Sequence, residues 1–349
     1  MESTKKNFRA AVLFEQNTPL RIVSLTDVEP QKGQVGIQMI SAALCGAQWN
    51  EIIGIKGQDK FLPHMMGHEG VGKVVRIGPD VSKVHIGDIV VLHWRKGSGC
   101  ECFGPKFPSE FGEIGSGSVT TFAEYTVVAE NRITPIRYNP NFKHIYPLIG
   151  CALSTSWGIL TKEAQAKKEN TLLICGGGGV GMAIVFWAKL LKLKKCVVLD
   201  RNEVKRSYIE KLGGSFYSIE NGDSLDSLNE KFDIVIDTTG NVENISLCFD
   251  RVNSRGKLVL VGQPRIGSVL TLKNPLRLFD GIRILCSDGG LFAPDEDIKT
   301  ILNMLENNKE LLPLLISHII RLEDVNKGFD LMQAGEAARV VIDFEENSI

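Results

Sequence analysis

The chain has 349 residues, room for two domains with separate cores, and its 43% hydrophobic and 23% charged residues are the balance of an ordinary globular protein. Forty Lys and Arg against 41 Asp and Glu leave a formal net charge of -1, so no charge surplus marks nucleic acid or a membrane surface as the main partner. Eight cysteines over this length are no disulfide framework, and the polar start, Met1 to Arg9, lacks the apolar core and cleavage site of a signal peptide; the expected compartment is the cytoplasm.

From Ala10 to about Lys83 apolar residues alternate with polar or small ones, as in Ala11 to Phe14, Leu20 to Val23 and Val35 to Met39, with Pro30, Gly33, Gly54, Gly67, Gly70, Gly78 and Pro79 as punctuation. This predicts an antiparallel, partly barrelled domain. It contains Cys45 between apolar residues and His68 among glycines, each by itself an unremarkable core or loop residue. Leu92 to Thr121, rich in Gly and Pro, predicts a loop, followed by a strand over Phe122 to Val128 and the segment Leu148 to Thr155 around Cys151. Strands then alternate with helices: Leu172 to Cys175, Cys196 to Leu199, Asp233 to Ile236, Lys257 to Val261 and Ile282 to Leu285 predict a parallel sheet with crossover helices. The tail predicts helices over Ile298 to Leu305 and around Val325, Phe329 and Met332, then an extended Arg339 to Phe344.

The most informative stretch runs from Thr171 to Asp200. An apolar strand enters a turn of four glycines, Gly176 to Gly179, and Val180 and Gly181 lead into a helix with Ala183, Ile184, Ala188 and Leu191 inward. Glycines 176, 178 and 181 fit GxGxxG, serving a tight turn, backbone approach to a pyrophosphate and close helix packing, with the helix N–H groups holding the anion. The next strand ends on Asp200, about 20 residues on, where a carboxylate accepts from an adenosine ribose. Two alternatives compete. A membrane span over uncharged residues 171 to 188 is countered by four successive glycines and the lysine-rich segment after it, and plain glycine-loop packing by the ordered coincidence of strand, turn, helix, strand and Asp.

Cys45-Gly46, Gly67-His68-Glu69, Gly150-Cys151 with Thr155, the Gly176 to Gly181 turn and Asp200 occur in the order seen in the zinc-containing medium-chain alcohol dehydrogenases, which the chain resembles over nearly its whole length. The resemblance implies an α/β fold: a GroES-like β-rich catalytic domain over 1–152, completed by the tail 288–349, and a Rossmann domain with a doubly wound parallel sheet over 153–287. It implies one catalytic zinc on Cys45, His68 and Cys151, two thiolates and an imidazole that leave a fourth position open. Glu69 falls close behind the metal, as an occasional ligand or as a buried charge supporting it. Thr155 falls against the nicotinamide, Lys205 near the adenosine ribose or on a solvated helix face, and Arg339 at the pyrophosphate. Gly176, Gly178, Gly179, Val180 and Gly181 form the phosphate turn. Asp200 favours NAD because a 2′-phosphate beside it is repelled, while Arg201 next to it keeps NADP as the lesser alternative. A small alcohol or its carbonyl partner is the expected substrate, with no nucleic acid or membrane partner, in a homodimer or homotetramer.

Departures from the family pattern are as informative. Ala47 replaces the Ser or Thr that begins a proton relay, and Asn50 a relay histidine, so the proton leaves by water, by the cofactor ribose or through a replacement such as Glu51. Gln48 replaces an aspartate that holds the zinc histidine. Cys100 and Cys102 are too few and too close for the four-cysteine structural zinc of many members, so no structural zinc is expected. Cys175, Cys196, Cys248 and Cys286 are expected in the core, and Trp49, Leu62, His64, His93, Trp94 and Arg95 near the pocket or in loop packing. Two other functions compete: a zinc-independent carbonyl reductase of the same superfamily, which should lack Cys45 and Cys151, and a nucleotide-binding sensor that turns nothing over.

Overall fold

The computed structural model describes residues 6–219 and 230–345. Among them, the parallel strands Ser215–Ser218, Lys195–Asp200, Thr171–Cys175, Phe232–Asp237, Val252–Leu260 and Arg283–Cys286 lie side by side in that order. The first strand in sequence, Thr171–Cys175, is central and the chain winds outward from it in both directions, which opens a crevice at the carboxyl end of that strand. Side-chain alternation explains the unbroken apolar runs. Leu172, Ile174, Val198 and Ile236 pack with the helix Gly179–Leu190 on one face, while Leu173, Cys175, Val197 and Val235 pack with the helix Val242–Asp250 on the other.

The N-terminal residues build two further sheets. Gln34–Ala43 is the hub of one, flanked by Gly70–Ile77, Tyr125–Ala129 and Val340–Asp343. Val341 pairs with Ala43 and Asp343 with Ser41, so the tail strand returns to the start of the chain, and His318–Ile320 adds beside it. The helices of the tail divide: Val325–Gln333 packs Val325 and Phe329 into the core of these sheets, whereas Pro294–Glu306 packs Ile298, Ile301 and Leu305 with the helices of the parallel sheet.

Two expectations are corrected. The stretch expected as loop contains a hairpin, Lys106–Ser109 with Gly112–Gly115, which buries Phe107 and Ile114; Pro108 and the flanking glycines mask its short inward alternation. Cys286, expected in the core, is exposed, because Arg283–Cys286 is an edge strand of the parallel sheet. Cys175, Cys196 and Cys248 are buried.

Candidate active site

Cys45 leaves the hub strand in an extended conformation and begins the helix Gly46–Ile52. His68 and Glu69 follow Gly67, whose φ of 95° is left-handed and whose added Cβ would stand 2.4 Å from Thr121 Oγ1. Cys151 precedes the helix Ala152–Gly158, behind Gly150; a Cβ there would lie 2.1 Å from Leu92 O and 3.0 Å from the Glu69 side chain. Glycine is what lets the Cys151 segment close on Glu69. Three distant stretches thus bring ligand atoms of Cys45, His68, Glu69 and Cys151 within 4.8 Å of one another.

Cys45, Glu69 and Cys151 are buried and His68 is half-buried among them, so each group feels the others. The Cys151 thiol and then His68 hold the Cys45 thiol well below its ordinary value, while Cys45 and burial push Cys151 well above. Burial pushes the Glu69 carboxyl up to about 7 although Arg339 pulls it down. Glu69 Oε1 accepts from the Arg339 guanidinium, which is 3% exposed, and Oε2 has no partner. Gln48 joins Cys45 N to His68 Nδ1, leaving His68 Nε2 without a hydrogen-bond partner. A buried imidazole nitrogen with nothing to bond, between two thiols and a carboxylate, fits a thiophilic divalent metal.

The glycine turn lies at the crevice. Gly176 has a left-handed φ of 97° and abuts Thr238; a Cβ on Gly181 would lie 2.0 Å from Gly176 O; Gly178 faces open space. Gly178 caps the helix Gly179–Leu190, which has no side-chain cap and no acid in its first turn, so its N–H groups suit an anion. Val180 is half-buried there. Arg339 packs its guanidinium against Gly179 while bonding Glu69, and so links the turn to the ligand cluster. Asp200 accepts from Gly177 N at 2.7 Å and from Lys205 Nζ at 2.9 Å, whereas Arg201 is exposed. Thr155 is buried with its hydroxyl unpartnered.

Around the cluster the expected pocket residues separate. Trp94 packs on Phe292 and is covered by Arg95, which pairs with Asp288 at 3.0 Å. Gly289 and Gly290 seat that loop between Trp94 and Thr155. His93 is wholly buried, its nitrogens bonded to Arg95 O and Thr134 Oγ1, and burial first of all lowers its pKa to about 4. Trp49 packs on Phe329, with Leu62 at the edge of the same core. His64 joins Asp59 at 2.8 Å and Glu51 at 3.8 Å.

Three partnerships escape sequence reading: Arg339 with Glu69, Asp59 with His64, and Glu130, whose carboxylate accepts from Ser82, Lys83 and Cys100 N–H at 2.6 to 2.7 Å. Among the described residues no third cysteine or histidine groups with Cys100 and Cys102, and Glu130 organises that loop. Only the first carried a signal, since a buried acid beside His68 needs a cation.

Comparison with known proteins agrees with this architecture. Residues 31–138 match the family model for the alcohol dehydrogenase GroES-like domain, and residues 179–307 that for zinc-binding dehydrogenase. The chain is 26% identical over 380 residues to an S-(hydroxymethyl)glutathione dehydrogenase of Synechocystis, covering 96% of this chain and 99% of that protein. It is likewise 26% identical to an alcohol dehydrogenase class-3 of Cereibacter sphaeroides, over 96% and 99% of the two chains. In fold it is similar to the benzyl alcohol dehydrogenase of Acinetobacter calcoaceticus, with a TM-score of 0.85 at 20% identity over 97% and 99% of the chains. No helix among the described residues is long and apolar enough to cross a membrane. With its two matched regions, relatives spanning its length and a Cys-His-Cys cluster beside a glycine turn, the chain belongs to the zinc-containing medium-chain alcohol dehydrogenase family.

Proposed function

We propose that this chain is a zinc-dependent dehydrogenase exchanging hydride between a primary or secondary alcohol and NAD. The observation that carries this is the ligand cluster within 4.8 Å, with His68 Nε2 unpartnered, joined through Arg339 to the glycine turn. Cys45, His68 and Cys151 hold one zinc, which supplies Lewis acidity toward an alcohol or carbonyl oxygen. The remaining work belongs to the chain. The turn from Gly176 to Gly181 and Arg339 hold the pyrophosphate, Asp200 accepts the ribose hydroxyls, and Thr155 orients the nicotinamide. The carboxylate at 200 favours NAD over NADP, with Lys205 already neutralised by it at 2.9 Å. Trp94 and Phe292 form an aromatic wall, and Arg95 on that wall suits an alcohol with a polar or anionic substituent.

For the proton we assign Glu51. Ala47 and Asn50 supply neither hydroxyl nor imidazole. Burial raises the pKa of Glu51, and His64 Nε2 lies 3.8 Å from its carboxylate. Its carboxylate is still half-exposed, so a proton received there has a way to water.

The returning tail strand supports a catalytic unit of 1–152 with 288–349, and the central Thr171–Cys175 strand a cofactor unit of 153–287, against whose helices Pro294–Glu306 of the tail packs. All eight cysteines are free thiols, which suits a reducing, cytoplasmic setting. The open edge of Arg283–Cys286, after the exposed Leu276 and Phe279, supports a homodimer joined at that edge.

Metal analysis together with a panel of alcohols, polyols and sugar derivatives, read as NADH absorbance with Cys45→Ser as control, tests the reading. One zinc per chain and zinc-dependent turnover are expected. NAD binding with no zinc and no turnover of any panel member would replace it with a nucleotide sensor.

A further inference from the structure

Gln48 stands where two hydrogen-bond donors meet. Its Oε1 accepts from the backbone N–H of Cys45 at 3.2 Å, and its amide nitrogen faces Nδ1 of His68. The backbone dictates this orientation: Cys45 N–H can only donate, so the oxygen lies there and the NH2 group lies toward the imidazole. His68 Nδ1 is therefore an acceptor, and the proton of the ring sits on Nε2, the nitrogen left without a hydrogen-bond partner.

A metal on His68 requires the opposite tautomer. Nε2 must offer its lone pair to the ion, which moves the proton to Nδ1, and Nδ1–H then needs an acceptor. A carboxylate at position 48 would serve Cys45 N–H with one oxygen and His68 Nδ1–H with the other. The Gln48 amide has a single oxygen, and Gln48 and Cys45 are only 2% and 6% exposed, so a Cys45 N–H that loses that oxygen is buried without an acceptor.

We propose that Gln48 couples zinc binding at Cys45, His68 and Cys151 to a flip of its own amide: loading turns Oε1 to His68 Nδ1–H and leaves Cys45 N–H buried against an NH2 group. Gln48 is thus a positioning residue that lowers the zinc affinity of this chain below what a carboxylate would give. The inference rests on the zinc-dehydrogenase reading above.

The experiment uses the full-length protein and Gln48→Glu, which has the same length and replaces the NH2 group with an oxygen. In competition against a chromogenic chelator, Gln48→Glu should bind zinc about 10- to 100-fold more tightly. Added negative charge would also tighten binding, so the imidazole tautomer provides a readout that charge alone does not move. In 15N NMR of the metal-free proteins, His68 should carry its proton on Nε2 in the wild type and on Nδ1 in Gln48→Glu. Gln48→Met, which brings no charge and no strong acceptor, should bind zinc no more tightly than the wild type. A wild-type, metal-free His68 protonated on Nδ1 overturns the proposal, as does unchanged or weaker zinc affinity in Gln48→Glu. If neither protein takes up zinc, the zinc-dehydrogenase reading itself falls; if both bind zinc equally well, only the role of Gln48 falls.

Discussion

The guanidinium of Arg339, at the end of the chain's long return, donates to Oε1 of Glu69, the residue next to His68, with both side chains sealed from water. Burial works against the charge on Arg339, and Glu69 and Cys45 more than restore it, so its pKa is raised. Removing one member of such a pair leaves an uncompensated buried charge, which typically costs about 3–5 kcal/mol. Arg339→Met should lower stability by that amount in urea unfolding, and Glu69→Gln added to it should recover part of the loss. An Arg339→Met protein as stable as the wild type would show that the pair contributes nothing.

His93 predicts an acid-sensitive fold. Its pKa is lowered to about 4 in the native protein against 6.5 in the unfolded chain. Between those values the unfolded state binds more protons, so stability is complete above about pH 6.5 and falls as pH drops toward 4, by about 3 kcal/mol from this residue. Urea midpoints measured across this window should slope less in His93→Asn than in the wild type. Parallel slopes would assign the acid sensitivity to other groups.

Asp200 should set the cofactor. Its carboxylate neutralises Lys205, so Asp200→Ser both removes the repulsion of a 2′-phosphate and frees an ammonium group. The ratio of kcat/KM for NADP over NAD should rise about 10- to 100-fold, the worth of a hydrogen bond to a charged group. A ratio that stays fixed would remove Asp200 from cofactor selection.

Glu51 should matter to turnover and not to NAD affinity. Loss of a general base typically costs about 100-fold or more, so Glu51→Gln should lower kcat by that order with an unchanged Kd for NAD. An undiminished kcat would hand the proton to water or to the cofactor ribose.

What the sequence discloses here follows from range. Gly176, Gly178 and Gly181 sit within six positions of one another, the first in a left-handed turn and the last packed on the Gly176 carbonyl, so the turn, its helix and the strand ending in Asp200 are readable as a local pattern. Cys45, His68 and Cys151 are legible only as an ordered set resembling a family, because no local property tells a ligating Cys45 from a core cysteine. The Lys106–Ser109 hairpin is hidden by its own Pro108 and glycines, and Cys286 is misjudged because period-two alternation does not distinguish an edge strand from a central one. Partnerships such as Glu130 with Cys100 N–H or Arg339 with Glu69 depend on chain crossings that no pattern within one segment encodes.

The pairing of Val341 with Ala43 also imposes an order on biosynthesis. Strand Gln34–Ala43 leaves the ribosome long before Val340–Asp343 exists, whereas every strand and crossover of the parallel sheet is complete by Cys286. The nucleotide-holding half can fold during translation, while the sheet that carries Cys45 keeps an unpaired flank open to chaperones or misassociation until the last segment emerges. Glu69 waits for Arg339 over the same interval. A nascent chain truncated before Arg339 should therefore hold its dinucleotide-type turn already formed beside a metal cluster still lacking its counter-charge.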